Sequence, residues 1–314
     1  MKIAFRRSLG RMVRSAFARV APLMPAVQLQ LYPGHTAAEF SLIQRYFDRD
    51  PAAEPGFIVD RLGVRTRVAS LWDGVAGLSG QVIPPPLEAD FHAEAVEWIG
   101  VLKAVDTARK RFVAMELGAG WGPWLVAGAT AARRRGITAL RLLGVEADPV
   151  HFAAMQQHFR DNGIDPADHV LLHAAVGGGA GRARFPRSAD ARNDWGQRPD
   201  ADARAADMIE VDRVAIGDLI FREPVWDLVH IDVQGGEAEL CRAAVELLGD
   251  RVHWLVIGTH SRVIEGELVA LLHAAGWQLE NEKPARVVWN PAAATLEAMT
   301  THDGTQVWRN VHLT

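Results

Sequence analysis

A single cysteine, Cys241, stands in a chain of 314 residues. That excludes an internal disulfide framework and a zinc site built on thiolates, and it suits a reducing compartment. In its apolar helical surroundings Cys241 reads as a small buried hydrophobe rather than a nucleophile. No apolar run approaches the ~20 residues needed to cross a bilayer. No internal repeat and no low-complexity tract is present. Positive charge is not in excess either: 34 Lys and Arg against 38 Asp and Glu leave a formal net charge of −4. The chain therefore carries no global electrostatic footprint for nucleic acid, and no nucleic-acid partner is expected. A phosphate-cradling G-x-x-x-x-G-K-[ST] loop is also missing.

What is present is unevenly placed. Lys2, Arg6, Arg7, Arg11, Arg14 and Arg19 all precede the first acidic residue, Glu39. On a helical projection Leu9, Met12, Val13, Ala16, Phe17 and Val20 share one face, opposite Arg7, Arg11 and Arg14. The segment lacks the continuous apolar core of a secretory signal. Such a helix packs on its own domain or a partner subunit, rests on an anionic membrane surface, or serves as a transit peptide. The first is the expectation, for a cytoplasmic chain. Peripheral contact at the inner membrane surface and oligomer formation stay open.

The run 81-QVIPPPLEAD-90 marks a boundary, because three consecutive prolines cannot continue a helix. Residues 1–90 are read as an appendage, helical with a few short strands, a lid or an oligomer contact. Residues 91–314 are read as the main domain. There 91–108 has helical apolar spacing, and the chain then alternates. Strands are expected at 112–117, 140–147, 169–177, 225–233 and 252–258, and two more near 277–282 and 305–310. Helices are expected at 123–135, 149–163, 236–248 and 263–275. Such alternation predicts an α/β fold with βαβ units and a parallel sheet. Between the third and fourth strands lies a polar stretch, 178–207, of a length that points to a functional lid or an irregular segment.

The first of these strands ends in 115-MELGAGWGPW-124. Ligands in an open parallel sheet bind beyond the carboxyl ends of the strands. In the dinucleotide fingerprint G-x-G-x-x-G the third glycine would fall at Pro123, so an NAD-dependent oxidoreductase is the weaker reading. Glu116, just before the turn, would repel a pyrophosphate. It suits a donor with an ammonium group and no phosphate, which describes S-adenosylmethionine; a helix-capping role is the structural alternative. Glu146, ending the second strand in 145-VEADP-149, is placed to accept from ribose hydroxyls; a plain loop carboxylate is the alternative there.

At 230-HIDVQGGE-237 the chain resembles the FkbM family of S-adenosylmethionine-dependent methyltransferases. The glycine turn, VEADP, 174-AAVG-177 and 303-DGTQVW-308 share in the resemblance, which spans about 95–310. It implies a class I methyltransferase sheet, Rossmann-like, of seven strands with the last antiparallel. It also implies O-methylation of a hydroxyl on a sugar, glycan or natural product, as in polysaccharide biosynthesis. Carried over by position, Glu116, Gly118, Ala119 and Gly120 line the methionine end, with Trp121 as a ligand wall or a plug. Glu146 holds the ribose, and Ala147, Ala174, Ala175 and Val176 edge the base. Asp232 lies near the transferred methyl. Many relatives carry V-I-E-x-H on the fifth strand; here 256-VIGTHS-261 has Gly258 in place of the acid and keeps the histidine, His260.

His260 is expected as the base, in its neutral form, with Asp232 orienting it or sharing the role. His230 is expected to be a packed core histidine. A metal-free site is favoured over one with a divalent cation, since one obvious carboxylate is a poor set for a hard cation. Trp195, in the polar stretch, and His92, by position, are candidate contacts to the acceptor. A non-catalytic binding protein with the same fold is the remaining alternative.

Overall fold

The computed structural model describes residues 34–186, 190–195 and 208–313. The basic N-terminal helix read from the sequence lies outside them. Helix α1 (Ala37–Tyr46) opens on a capping box in which Thr36 and Glu39 satisfy each other's backbone N–H. Strands β1 (Phe57–Asp60), β2 (Arg65–Arg67) and β3 (Gln81–Ile83) form a small sheet in the order β2-β1-β3. Helix α2 (Ala95–Thr107) leads into β4 (Arg111–Leu117), α3 (Pro123–Arg134), β5 (Ala139–Glu146), α4 (Pro149–Asp161) and β6 (Val170–His173). Then follow β7 (Ala175–Gly177), β8 (Gly181–Pro186), β9 (Met208–Ala215), α5 (Ile216–Ile220), β10 (Trp226–Ile231) and α6 (Glu237–Arg251). Strand β11 (Val252–Thr259), α7 (Arg262–Ala274), β12 (Trp277–Lys283), β13 (Arg286–Val287), β14 (Thr300–His302) and β15 (Gly304–Asn310) complete the chain. Among the described residues no helix is long and apolar enough to cross a membrane.

The main sheet has seven strands in the order β12-β15-β11-β10-β4-β5-β6. Strand β15 runs antiparallel to both of its neighbours, whereas β4, β5, β6, β10 and β11 are mutually parallel. The physical reason is visible in β4, whose last six residues are all buried. Successive side chains point to opposite faces. Phe112 and Ala114 enter the core built with α1–α4. Val113, Met115 and Leu117 enter the core built with α5–α7. A strand covered on both faces must be apolar throughout.

Two expectations need correction. The run 169–177 is two strands, not one. The N–H of Ala174 turns to the carbonyl of Glu146 at 2.9 Å, and β7 leaves the main sheet to pair with β9. The polar stretch after it is not irregular throughout. Residues Gly181–Pro186 form β8, antiparallel to β9, so that a three-stranded ribbon β7-β9-β8 stands at the edge of the main sheet. Residues from 34 onward lie in one compact unit. Arg67 forks onto Asp161 of α4 at 3.0 and 2.7 Å, tying the small sheet to the main one.

Candidate active site

The glycine turn at the end of β4 explains its own composition. Gly118, Gly120 and Gly122 have φ of +74°, +53° and +69°, all in the left-handed region that other residues avoid. The N–H groups of Gly118 and Ala119 both reach the carbonyl of Val145, at 3.0 and 2.9 Å. Gly122 then caps α3, and Pro123 takes the first helical position, where a missing N–H is harmless. A Cβ on Gly118 would lie 1.8 Å from the carbonyl oxygen of Asp232. The turn thus presses against the end of β10, and this contact brings Asp232 beside the glycines.

A cavity of about 1310 Å³ opens there. Gly118, Ala147, Ala174, Ala175, Val176 and Asp232 all line it, so six residues named from the sequence meet on one wall. The ribbon, to which Ala175 and Val176 belong through β7, also supplies Ala183, Phe185 and Arg213 to the lining. The other candidates stand behind or beside this wall. Glu116 shares the face of Phe112 and Ala114, is almost fully buried, and accepts from the N–H of Leu125 at 3.0 Å and of Trp124 at 3.4 Å. It caps α3 from below. Burial raises its pKa well above the ordinary value, and Asp232 and Glu146 add to the effect. Glu146 accepts from Gly120 N–H and Asp148 N–H, each at 2.7 Å, and thereby shapes the turn from the second strand. Burial raises its pKa to about 7.

Trp121 turns away from the cavity into a cluster with Ile58, Leu71 and Val75 of the small sheet and its loop. It is the plug rather than the ligand wall. His92 is packed as well. It lies among Trp98, Trp121 and Trp124 at ring distances of 5.5–5.7 Å, with Asp90 3.7 Å away. Burial depresses its pKa. The contact to an acceptor that position suggested is thus replaced by core packing. His230 is a core residue too: it lies 5.5 Å from Trp124, neither ring nitrogen has a partner, and burial lowers its pKa to about 4. Trp195 stacks on His151 at 3.8 Å and 9°, over the glycine turn, 3.4 Å from where a Cβ on Gly120 would stand. Cys241 is buried, and its thiol is pushed up to about 12, so it is an inert packing residue.

The chemistry concentrates at the ends of β10 and β11. Asp232 Oδ1 lies 3.3 Å from Nε2 of His260 and accepts from Gln234 Nε2 at 3.0 Å. Nδ1 of His260 lies 2.9 Å from Oε1 of Glu237. Burial opposes a charge on His260, but the two carboxylates outweigh it and raise the pKa to about 11. The two carboxylates thus favour the imidazolium over the neutral imidazole that was expected. Gly258 has a purpose here, because a Cβ on it would stand 3.2 Å from Asp232 Cγ. Glu97, on the first turn of α2, is raised to about 8 by burial and by Asp232, Asp90 and Glu94. Glu237 is the residue that sequence reasoning passed over. Its signal was the last letter of HIDVQGGE, an acid at the first turn of a helix right behind the strand-end Asp232. Asp232, Glu237 and His260 are also the one group among the described residues with the mutual spacing, within 4.8 Å, to hold a metal ion.

These groups set a pH dependence for the fold. His260 near 11, Glu97 near 8 and Glu146 near 7 all hold protons in the folded chain that the unfolded chain releases at lower pH. His158 and His230, lowered to about 4, act in the opposite sense but only below about 6.5. Stability should fall as pH rises from 6.5 to 9. Thermal melts across that interval at constant ionic strength check this, and a rising melting temperature would contradict it.

The sheet order, the reversed β15 and the glycine turn on the central strand define a class I methyltransferase fold, Rossmann-like. No protein-family model matches the chain. It is 33% identical over 242 residues to a protein of Jannaschia sp. (strain CCS1) named as a methyltransferase, across 74% of this chain and 86% of that one. The chain belongs to that methyltransferase family. Among solved structures it is similar to precorrin-6y C5,15-methyltransferase of Geobacter metallireducens GS-15, with 12% identity and a TM-score of 0.38 over 70% of this chain and 89% of that one. It is also similar to methyltransferase FkbM of Methylobacillus flagellatus KT, with 11% identity and a TM-score of 0.39 over 71% of this chain and 56% of that one.

Proposed function

We propose that this chain is an S-adenosylmethionine-dependent O-methyltransferase acting on a hydroxyl of a sugar, glycan or natural product. The observation that carries the reading is one continuous cavity wall. It joins the glycine turn at Gly118 and the small residues Ala147, Ala174 and Ala175 to the carboxylate of Asp232. The donor supplies a methyl group already activated on sulfonium sulfur. The residues present fit it: the backbone reaches the cavity at glycines, Glu146 ends β5 beside the turn, and the lining includes the small apolar side chains of Ala147, Ala174 and Ala175. The hydroxyl acceptor is drawn from the sequence resemblance to the FkbM family.

On this reading Asp232, on the cavity, orients the acceptor hydroxyl, and His260, 3.3 Å from Asp232, takes up its proton as the new carbon–oxygen bond forms and the carbon–sulfur bond breaks. Only the neutral form of His260 accepts that proton, so turnover rises with pH wherever His260 is the base.

The test is a thermal melt with S-adenosylhomocysteine. A ligand that binds only the folded state adds about 2.7 kcal/mol at 100 times its dissociation constant. A shift with S-adenosylhomocysteine and none with NAD is expected; the reverse would sink the reading. Incubation of saccharides with labelled methyl donor, followed by mass analysis for one added methyl, then addresses the acceptor.

A further inference from the structure

We propose that Glu237 is the positioning residue of this site, which fixes the His260 ring with Nδ1–H toward itself and Nε2 toward Asp232 and the cavity. The inference deepens the reading of His260 as the group that receives the acceptor proton, and rests on it for its catalytic meaning.

The local chain is shaped around this one carboxylate. Oε1 of Glu237 accepts from the N–H of Val233 at 3.1 Å, from the N–H of Gly235 at 3.0 Å and from His260 Nδ1 at 2.9 Å. To deliver those two backbone donors, Gln234 adopts φ +58°, and it is the only non-glycine residue with positive φ among the described residues. Gly235 follows at +109°. Strained backbone of this kind persists where the surroundings over-determine it, and it gathers at functional sites.

The carboxylate is completely buried, and its Oε2 has no hydrogen-bond partner. A carboxylate that merely closed a turn would be a costly choice in such a place, since a charge removed from water needs a counter-charge. His260 supplies it. Exposure then rises stepwise along the line: 0% for the Glu237 side chain, 13% for His260 and 35% for Asp232. A buried acid, a histidine behind the wall and a carboxylate on the cavity form an oriented row. This is the logic by which a base is held in one tautomer by a third group. Nε2 is left facing Asp232, which lines the cavity.

The charged groups around His260 come from several elements. Asp232 follows β10, Glu237 opens α6, and Asp303, between β14 and β15, is coupled to all three. Beyond Asp232 lie His230 of β10, Glu97 of α2 and Glu116 of β4. Glu237 is one of two carboxylates that hydrogen-bond the imidazole directly, and the more buried of them.

The experiment is a pH titration of the full chain carrying 15N-labelled histidine, with the His260 signals assigned by comparison with His260→Gln. It needs neither acceptor nor donor, so it stands even if the methyl-transfer reading fails. In the wild type, His260 should stay doubly protonated well past pH 8, and Nδ1 should remain protonated when Nε2 deprotonates. Glu237→Gln, close to isosteric, should move the His260 titration down by about one to three pH units. Glu237→Ala should in addition leave the neutral ring as a mixture of tautomers. A purely structural role for Glu237 would shift the melting temperature and leave tautomer and titration alone, which overturns the proposal. A wild-type His260 that titrates near 6.5 overturns it without any variant. Stoichiometric broadening of the His260 signals by Mn²⁺ overturns it too, since the three groups would then hold a cation rather than a proton. With an acceptor in hand, Glu237→Gln should move the rising limb of the kcat–pH profile to lower pH by the same interval, with an unchanged KM for the donor.

Discussion

Gly118→Ala is expected to lower the unfolding free energy by about 2–5 kcal/mol, the sum of a left-handed backbone penalty and forced overpacking. The native φ of +74° excludes an easy fit for any side chain. The added carbon would lie 1.8 Å from the Asp232 carbonyl oxygen, and that neighbour is backbone, which cannot rotate away. The Asp232 N–H is itself bonded to the Leu117 carbonyl at 2.9 Å, so the clash drives apart the two central strands at the point where the cavity begins. Loss of S-adenosylhomocysteine binding should accompany the loss of stability. Urea unfolding and a ligand titration measure both. Gly136→Ala provides the control. It too has positive φ, +83°, but nothing lies within 4 Å of its added carbon, so only the backbone penalty of about 1–2 kcal/mol applies. Equal effects at the two positions would mean that the turn does not press on β10.

Asp232→Asn keeps the shape of the side chain and removes its charge. Turnover with the acceptor that the wild type methylates should fall about 10²–10⁴-fold, the range of a positioned acid–base group. The carboxylate on the cavity is lost as a proton partner, and this loss outweighs the larger neutral fraction that His260 gains when one of the two charges holding its proton is removed. Gly258 leaves room for either side chain, so the fold should tolerate the change. A kinetic comparison at several pH values checks this, and a loss smaller than threefold would remove Asp232 from the chemistry.

Much of this site could be read before any coordinates. The apolar run 112–117, the glycines after it and Pro123 opening a helix are local features, and each emerged at its expected place. The small residues Ala147, Ala174, Ala175 and Val176, which the family resemblance implied, line the cavity. The residues that eluded that reading did so for one reason. Trp121 and Glu116 stand close to the turn in sequence and His92 just before the main domain, yet each side chain turns onto a face occupied by another element. Trp121 meets the small sheet, His92 the tryptophans of α2 and α3, and Glu116 the first turn of α3.

The sequence by itself determined the alternation of strands and helices, the two-sided burial of β4 and the three left-handed glycines, because periodicity and φ preference are properties of a few neighbouring residues. Only the tertiary structure decided that the carboxylate opening α6, Glu237, meets a histidine 23 positions later, and that the pairing favours a charged histidine. Such a pairing depends on which strands lie side by side and on how far each group is drawn out of water. Both are settled by long-range packing, which no local pattern encodes.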